Sequence, residues 1–263
     1  KVFVFDTQGK YIQTLTDNGH SLKSPDYRML IPYRLKGCTA VVWAGKTDKF
    51  YLLPAMTAGD PINKLTLKYE PENNRSNNHL DALWHSGPLL MFSSENISNT
   101  ENVSLVRNTN DITIGITRGN NPVDASKYDI QLITANNFYD YKNNVGESSK
   151  NIIYHPCSVE EEDSKTALQT RLHTLRFIKD ADMTFSITEK ASGKTIDIGG
   201  KTTINLIDYL LMSKPKMMGD QEYLDRRYEW DINIRIGDKE ENGYIALSIT
   251  INNWTYWFQP TDM

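Results

Sequence analysis

The residues best equipped for chemistry in this chain are its five histidines and two cysteines, and their spacing decides what chemistry is open to them. His20, His79, His85, His155 and His173 include no pair at the i, i+4 spacing that lets one helix face present two imidazoles to zinc. His79 and His85 bracket Asp81, three residues a metal accepts, but they flank a loop and a proline rather than a fixed element. His155 and Cys157 straddle Pro156. A cysteine nucleophile with an imidazole base needs these two side chains in contact; a turn residue beside a packed thiol uses the same two, and that reading is adopted. Cys38 and Cys157 lie too far apart in sequence for a disulfide framework or a metal spacing, which leaves two packed or half-buried free thiols. The chain contains no G-x-S-x-G elbow, P-loop or G-x-G-x-x-G. Gly199-Gly200 lacks the third glycine or Lys-Ser/Thr pair, and nothing local marks a carboxylate pair. The acidic run Glu160–Asp163 has no glycine-spaced aspartates of a calcium loop and reads as a solvated loop. No catalytic residue, cofactor or metal is expected.

The aromatic residues near the C-terminus offer non-covalent chemistry instead. Trp254, Tyr256 and Trp257 are the candidate contacts for a partner or glycan. In an extended segment Trp254 and Tyr256 share one face and Trp257 points the other way, so one face is expected to be core.

These side chains need strands to position them. In Tyr228–Ile236 the residues Tyr228, Trp230, Ile232, Ile234 and Ile236 alternate with Glu229, Asp231, Asn233 and Arg235, which predicts a strand with one buried and one wet face. After a polar turn, Ile245, Leu247, Ile249 and Ile251 repeat the pattern, giving an antiparallel hairpin that Asn252-Asn253 interrupts before Trp254. Further strands are predicted at Val2–Phe5, Tyr11–Leu15, Thr39–Ala44, Phe50–Leu53, Leu89–Phe92, Val103–Arg107, Ile112–Ile116, Tyr128–Leu132, Leu172–Ile178 and Met183–Ile187. Asn205–Met212 has helical spacing closed by Pro215, and Leu80–Trp84 reads as one helical turn. Arg118-Gly119-Asn120-Asn121-Pro122 reads as a domain boundary, giving an N-terminal domain of residues 1–121 and a C-terminal domain of residues 122–263. The composition, 39% hydrophobic and 24% charged, supports packed cores, and a net charge of −4 gives no basic surface for nucleic acid. No apolar run reaches the roughly 18 residues that span a bilayer.

Several segments, in order, resemble the fimbrial anchor proteins of Bacteroidales, the minor subunits associated with fimbrillin. Val2-Phe3-Val4-Phe5-Asp6-Thr7-Gln8-Gly9-Lys10 is similar to that family's opening strand, and Ala40-Val41-Val42-Trp43-Ala44-Gly45 to its second. Val103–Ile112, with Arg107-Asn108-Thr109-Asn110, Asp220–Tyr228, with Gln221, Tyr223, Leu224, Asp225 and Arg226, and Ile249–Trp254 match three further segments. The resemblance implies two tandem transthyretin-like antiparallel β-sandwich domains with one or two short helices, the first lacking a strand expected before Val2. It also implies a lipoprotein of the outer membrane at the base of a fimbrium, held by a lipidated cysteine upstream of Lys1 and contacting fimbrillin subunits by strand exchange. Other assignments of the same features are a stalk or tip fimbrillin and a surface glycan-binding lipoprotein.

Overall fold

The alternation around Trp230 has a direct structural expression. In the computed structural model, which describes residues 1–19, 24–47, 49–92, 100–157, 169–239 and 243–259, Trp230, Ile232, Ile234 and Ile236 are buried while Glu229 and Asp231 face solvent. In chain order the strands are β1 (Val2–Phe5), β2 (Tyr11–Leu15), β3 (Thr39–Gly45), β4 (Tyr51–Leu52), β5 (Leu67–Tyr69), β6 (Arg75–Ser76), β7 (Leu83–Leu90), β8 (Val106–Arg107), β9 (Thr109–Arg118) and β10 (Asn121–Val123). They continue as β11 (Tyr128–Ala135), β12 (Phe138–Tyr139), β13 (Asn151–Tyr154), β14 (Gln169–Leu175), β15 (Thr184–Glu189), β16 (Asp197–Ile198), β17 (Ile204–Asn205), β18 (Glu229–Lys239), β19 (Gly243–Ile251) and β20 (Trp254–Trp257). Two α-helices, α1 (Leu206–Met212) and α2 (Asp220–Arg226), complete the regular structure. The protein is mostly β, as its alternation predicts.

The chain forms two compact units, and neither is continuous in sequence. The first takes Lys1–Glu70, Ala82–Asn108 and Phe138–Ser149; the second takes Pro71–Asp81, Thr109–Asn137 and Lys150–Met263. The predicted boundary at Arg118–Pro122 is a hairpin within the second unit: β9 and β10 pair antiparallel, with Arg118 opposite Asn121 across a turn whose Gly119 has φ +62°. Turn chemistry and linker chemistry use the same residues, so the local sequence does not distinguish them.

The first unit holds a five-stranded sheet, β2-β1-β3-β7-β8, and a three-stranded sheet, β12-β5-β4. Phe3, Phe5, Val41 and Trp43 are buried on one face of the larger sheet. On its other face Val4 and Ala40 pack with Leu35, Cys38 and Met91, and partly exposed Val2, Ile12, Leu15, Ile31, Leu89 and Phe92 surround them. Leu83 and Trp84, expected in a helical turn, belong instead to β7, where they pair with Gly45 and Ala44. Cross-strand pairing overrides a weak local signal there. Asn108 is buried because its amide exchanges hydrogen bonds with that of Asn143, and its backbone N–H donates to the Leu83 carbonyl.

The second unit holds a sheet of order β10-β9-β18-β19-β16, extended by β14 beside β9 and β20 beside β19, and a five-stranded sheet, β17-β15-β11-β13-β6. Both hide one face; β11, for instance, buries every second residue. The predicted helix Asn205–Met212 is α1, and Asn205 stands just outside it as its cap, its side chain accepting from the Ile207 N–H. The second helix, α2, lies where the sequence offers no helical period. It is fixed by polar bonds: Arg176 Nε and Nη2 donate to both Asp225 oxygens at 2.7 Å, and Gln221 donates to the Phe177 carbonyl and to Asp225. Tyr223 and Phe177 lie against Trp230, whose indole N–H donates to Asn110, and Asn110 in turn donates to the Leu175 carbonyl. The residues of the Asp220–Tyr228 and Asn108–Asn110 segments therefore serve as fasteners.

Candidate binding surface

The candidate aromatic residues sit on β20, which the chain reaches through a two-residue turn. Asn252 and Asn253 both have positive φ (46° and 72°), the geometry that suits a tight hairpin, and Ile251 pairs with Trp254. Asn252 also stitches this turn to β18: its N–H donates to the Asp231 carbonyl and its side chain accepts from the Asp231 N–H. The apparent interruption is the device that brings the tryptophans back onto the sheet.

Tyr256 packs with Trp254, Tyr209 and Phe258, forming one apolar face. Trp257 lies on the other face and is 53% exposed. There the register lines up side chains in straight rows across the strands. One row runs Thr117, Arg235, Ser248, Trp257; the next runs Gln169, Gly115, Asn233, Thr250, Thr255. The first row, with Asn233, Thr250 and Thr255 of the second and Gly119 and Asn120 of the adjoining turn, lines an open depression of about 300 Å³. Gly115 makes room for the Asn233 side chain: a Cβ at that position would stand 2.8 Å from its amide nitrogen. The Thr117 hydroxyl donates to the Asn233 carbonyl oxygen, and the Arg235 guanidinium lies 5.7 Å from the centre of the Trp257 ring. The lining offers amide, hydroxyl, guanidinium and indole groups, with no carboxylate, thiol or imidazole among them. Of the three aromatics, only Trp257 belongs to this depression; Asn233 and Arg235 were legible solely as the wet positions opposite the isoleucines.

The other residues of chemical interest have packing partners. His79 lies against His173, whose Nδ1 is 2.8 Å from Asp111, and His85 is buried against Trp43. His155 is 3.4 Å from Asp129, and the Cys157 thiol donates to the Asn78 carbonyl. Both cysteines are free, Cys38 buried and Cys157 half-buried. Burial, followed by the charge of Asp111, pushes the Cys157 thiol pKa up, opposite to what a nucleophile needs. Native Cys157 should therefore react with iodoacetamide more slowly at pH 8 than in urea, with the difference closing as pH rises; peptide mass spectrometry resolves it from Cys38, and equal rates would contradict the assignment. Among the described residues no group of His, Cys, Asp and Glu is placed to hold a metal ion. His20 and the acidic run Glu160–Asp163 lie outside the described residues.

The fold defines a mostly β protein built from several largely antiparallel sheets. The chain belongs to the family of fimbrillin-A associated anchor proteins Mfa1 and Mfa2, which it matches over residues 1–260. Among solved structures it is similar to a Bacteroides thetaiotaomicron protein provisionally called polysaccharide-binding, with a TM-score of 0.84 and 27% identity over 100% of this chain and 90% of that one. A second Bacteroides thetaiotaomicron protein, provisionally called an adhesin, gives a TM-score of 0.77 and 24% identity over 98% and 89% of the two chains. The fimbrial anchor protein Mfa2 from Porphyromonas gingivalis gives 0.69 and 18% over 98% and 90%. No curated protein matches the chain. Its family is one of fimbrillin-associated anchor proteins. No helix among the described residues is long and apolar enough to cross a membrane.

Proposed function

We infer that this protein is a fimbrial anchor or assembly subunit that attaches a fimbrium to the outer membrane and joins it through β-strand contacts. The observation that carries this reading is the family match over nearly the whole chain. The shape of the first unit supports the strand contact. Strand β2 is outermost in its sheet, bonded at Tyr11 to Gly59 and Asp60, and its half-buried Ile12 and Leu15 pack against the apolar cluster. An outer strand next to apolar side chains is what an added strand requires, because main-chain bonds hold it and alternate side chains find pockets. The paired sheets of each unit support a transthyretin-like reading of both. Lipidation of a cysteine upstream of Lys1 would supply the membrane attachment; Cys38, buried in the core, does not offer it.

Deleting the gene should release fimbriae from cells and alter their length. Fimbriae of normal length that stay cell-bound would overturn the anchor role, and immunogold labelling along the whole fibre would assign the protein to the stalk instead. A second reading, glycan binding at the cell surface, is favoured by exposed Trp257 in a polar depression and by the Bacteroides thetaiotaomicron relative provisionally called polysaccharide-binding.

A further inference from the structure

We propose that the outward face of the seven-stranded sheet is a site for acidic saccharides, in which Arg235 takes the sugar carboxylate and Trp257 takes the sugar ring. This inference rests on the glycan-binding reading and deepens it by naming the ligand class.

Three observations point to that chemistry. First, Arg235 carries a cation that the sheet does not neutralise. Its Nε is shielded from water yet has no acceptor, and no ion pair involves it among the described residues, whereas nearby Arg118 is paired with Asp238. A guanidinium without an internal counter-ion is open to one that a ligand supplies to its terminal nitrogens. A carboxylate serves best, because a guanidinium binds it with two parallel bonds. Second, Trp257 is held beside that guanidinium with half of its surface open. An indole face is apolar and suits the C–H surface of a pyranose. Third, the adjoining row supplies neutral hydrogen-bonding groups at sheet spacing. Asn233 is oriented by Thr117, and Thr250 and Thr255 hydroxyls lie 2.9 Å apart. Neighbouring strands lie about 4.8 Å apart, comparable to the separation of hydroxyls across a sugar ring. Gly115 leaves the Asn233 amide its place, since a Cβ there would stand 2.8 Å from the amide nitrogen. A neutral glycan would use the indole and the amide and leave the Arg235 charge unanswered.

Titration calorimetry on the purified full chain tests this with tetragalacturonic acid and its fully methyl-esterified counterpart, which keeps the rings and removes the charge. The acid should bind, with the ester at least tenfold weaker. Arg235→Ala should erase that preference, Arg235→Lys should retain part of it, and Trp257→Ala should weaken both ligands. Thr255→Glu is the safeguard against misfolding: it alters an exposed position and places a carboxylate in the depression, so it should abolish binding of the acid while leaving the unfolding midpoint unchanged. Equal affinity for acid and ester would overturn the role of Arg235 and leave the glycan reading intact. Binding of neither saccharide would overturn both, and binding of tetraglutamate in their place would mark the depression as a protein contact.

Discussion

Asp225→Ala should destabilise the second unit by about 3–5 kcal/mol, the cost of stranding one partner of a buried ion pair. Arg176 and Asp225 are only 13% and 16% exposed, so solvent does not screen the pair as it would on a surface. The substitution removes the two carboxylate oxygens that accept from the Arg176 guanidinium and one acceptor of Gln221. For a chain of this size the change corresponds to a fall in Tm of roughly 10 °C. Urea unfolding followed by tryptophan fluorescence is well suited, because Trp230 packs against Tyr223 of the same helix. The double variant Arg176→Met with Asp225→Leu should recover much of the loss, since a buried pair replaced by apolar side chains is often neutral. A single-variant loss below about 1 kcal/mol would show that α2 is held by its apolar contacts alone.

Gly45→Ala should cost the first unit a comparable amount, about 3–5 kcal/mol, by adding overpacking to backbone strain. Gly45 has φ +113°, a conformation rarely open to other residues, and an added Cβ would stand 2.3 Å from the Ala82 carbonyl oxygen and 3.3 Å from the Leu83 Cα. Both obstacles are backbone atoms, and Leu83 is paired to Gly45 across the sheet, so neither can swing aside. Gly37→Ala is the informative control. Its φ of +77° imposes strain, but nothing lies within 4 Å of the added atom. The difference between the two unfolding midpoints isolates the steric clash, and identical midpoints would rule the clash out.

Much of this architecture is legible in the sequence wherever the signal is periodic. The isoleucines of β18 and β19 announce their buried face because burial on one side of a sheet enforces a period of two. The opposed faces of Trp254 and Trp257 follow from the same rule. What escapes is whatever depends on a distant partner. Leu83 and Trp84 become strand residues only because β3 is there to receive them. The helix α2 has little period of its own and is fastened by Arg176, more than forty residues upstream. Gly115 looks unremarkable within β9, and only the adjacent Asn233 amide shows why a side chain is excluded. The rows that line the depression gather residues from strands widely separated along the chain, so their common face is set by register, which composition does not encode.

The parallel pairing of β9 with β18 carries a kinetic consequence. Asp111 is opposite Glu229, so the central ladder of the second unit joins positions that the growing chain makes more than a hundred residues apart. Closing a loop of that length costs about 4 kcal/mol of chain entropy before any contact is gained. Until β18 and β19 exist, β9 has only β10 and β14 as neighbours, and its isoleucines have no complete sheet to join. The second unit should therefore fold slowly, and only after β18 and β19 have been made, as expected for long-range β topology. Its nascent form is a long unfolded chain with unpaired strands, a state that needs protection from aggregation and leaves the polypeptide threadable until its last strands arrive.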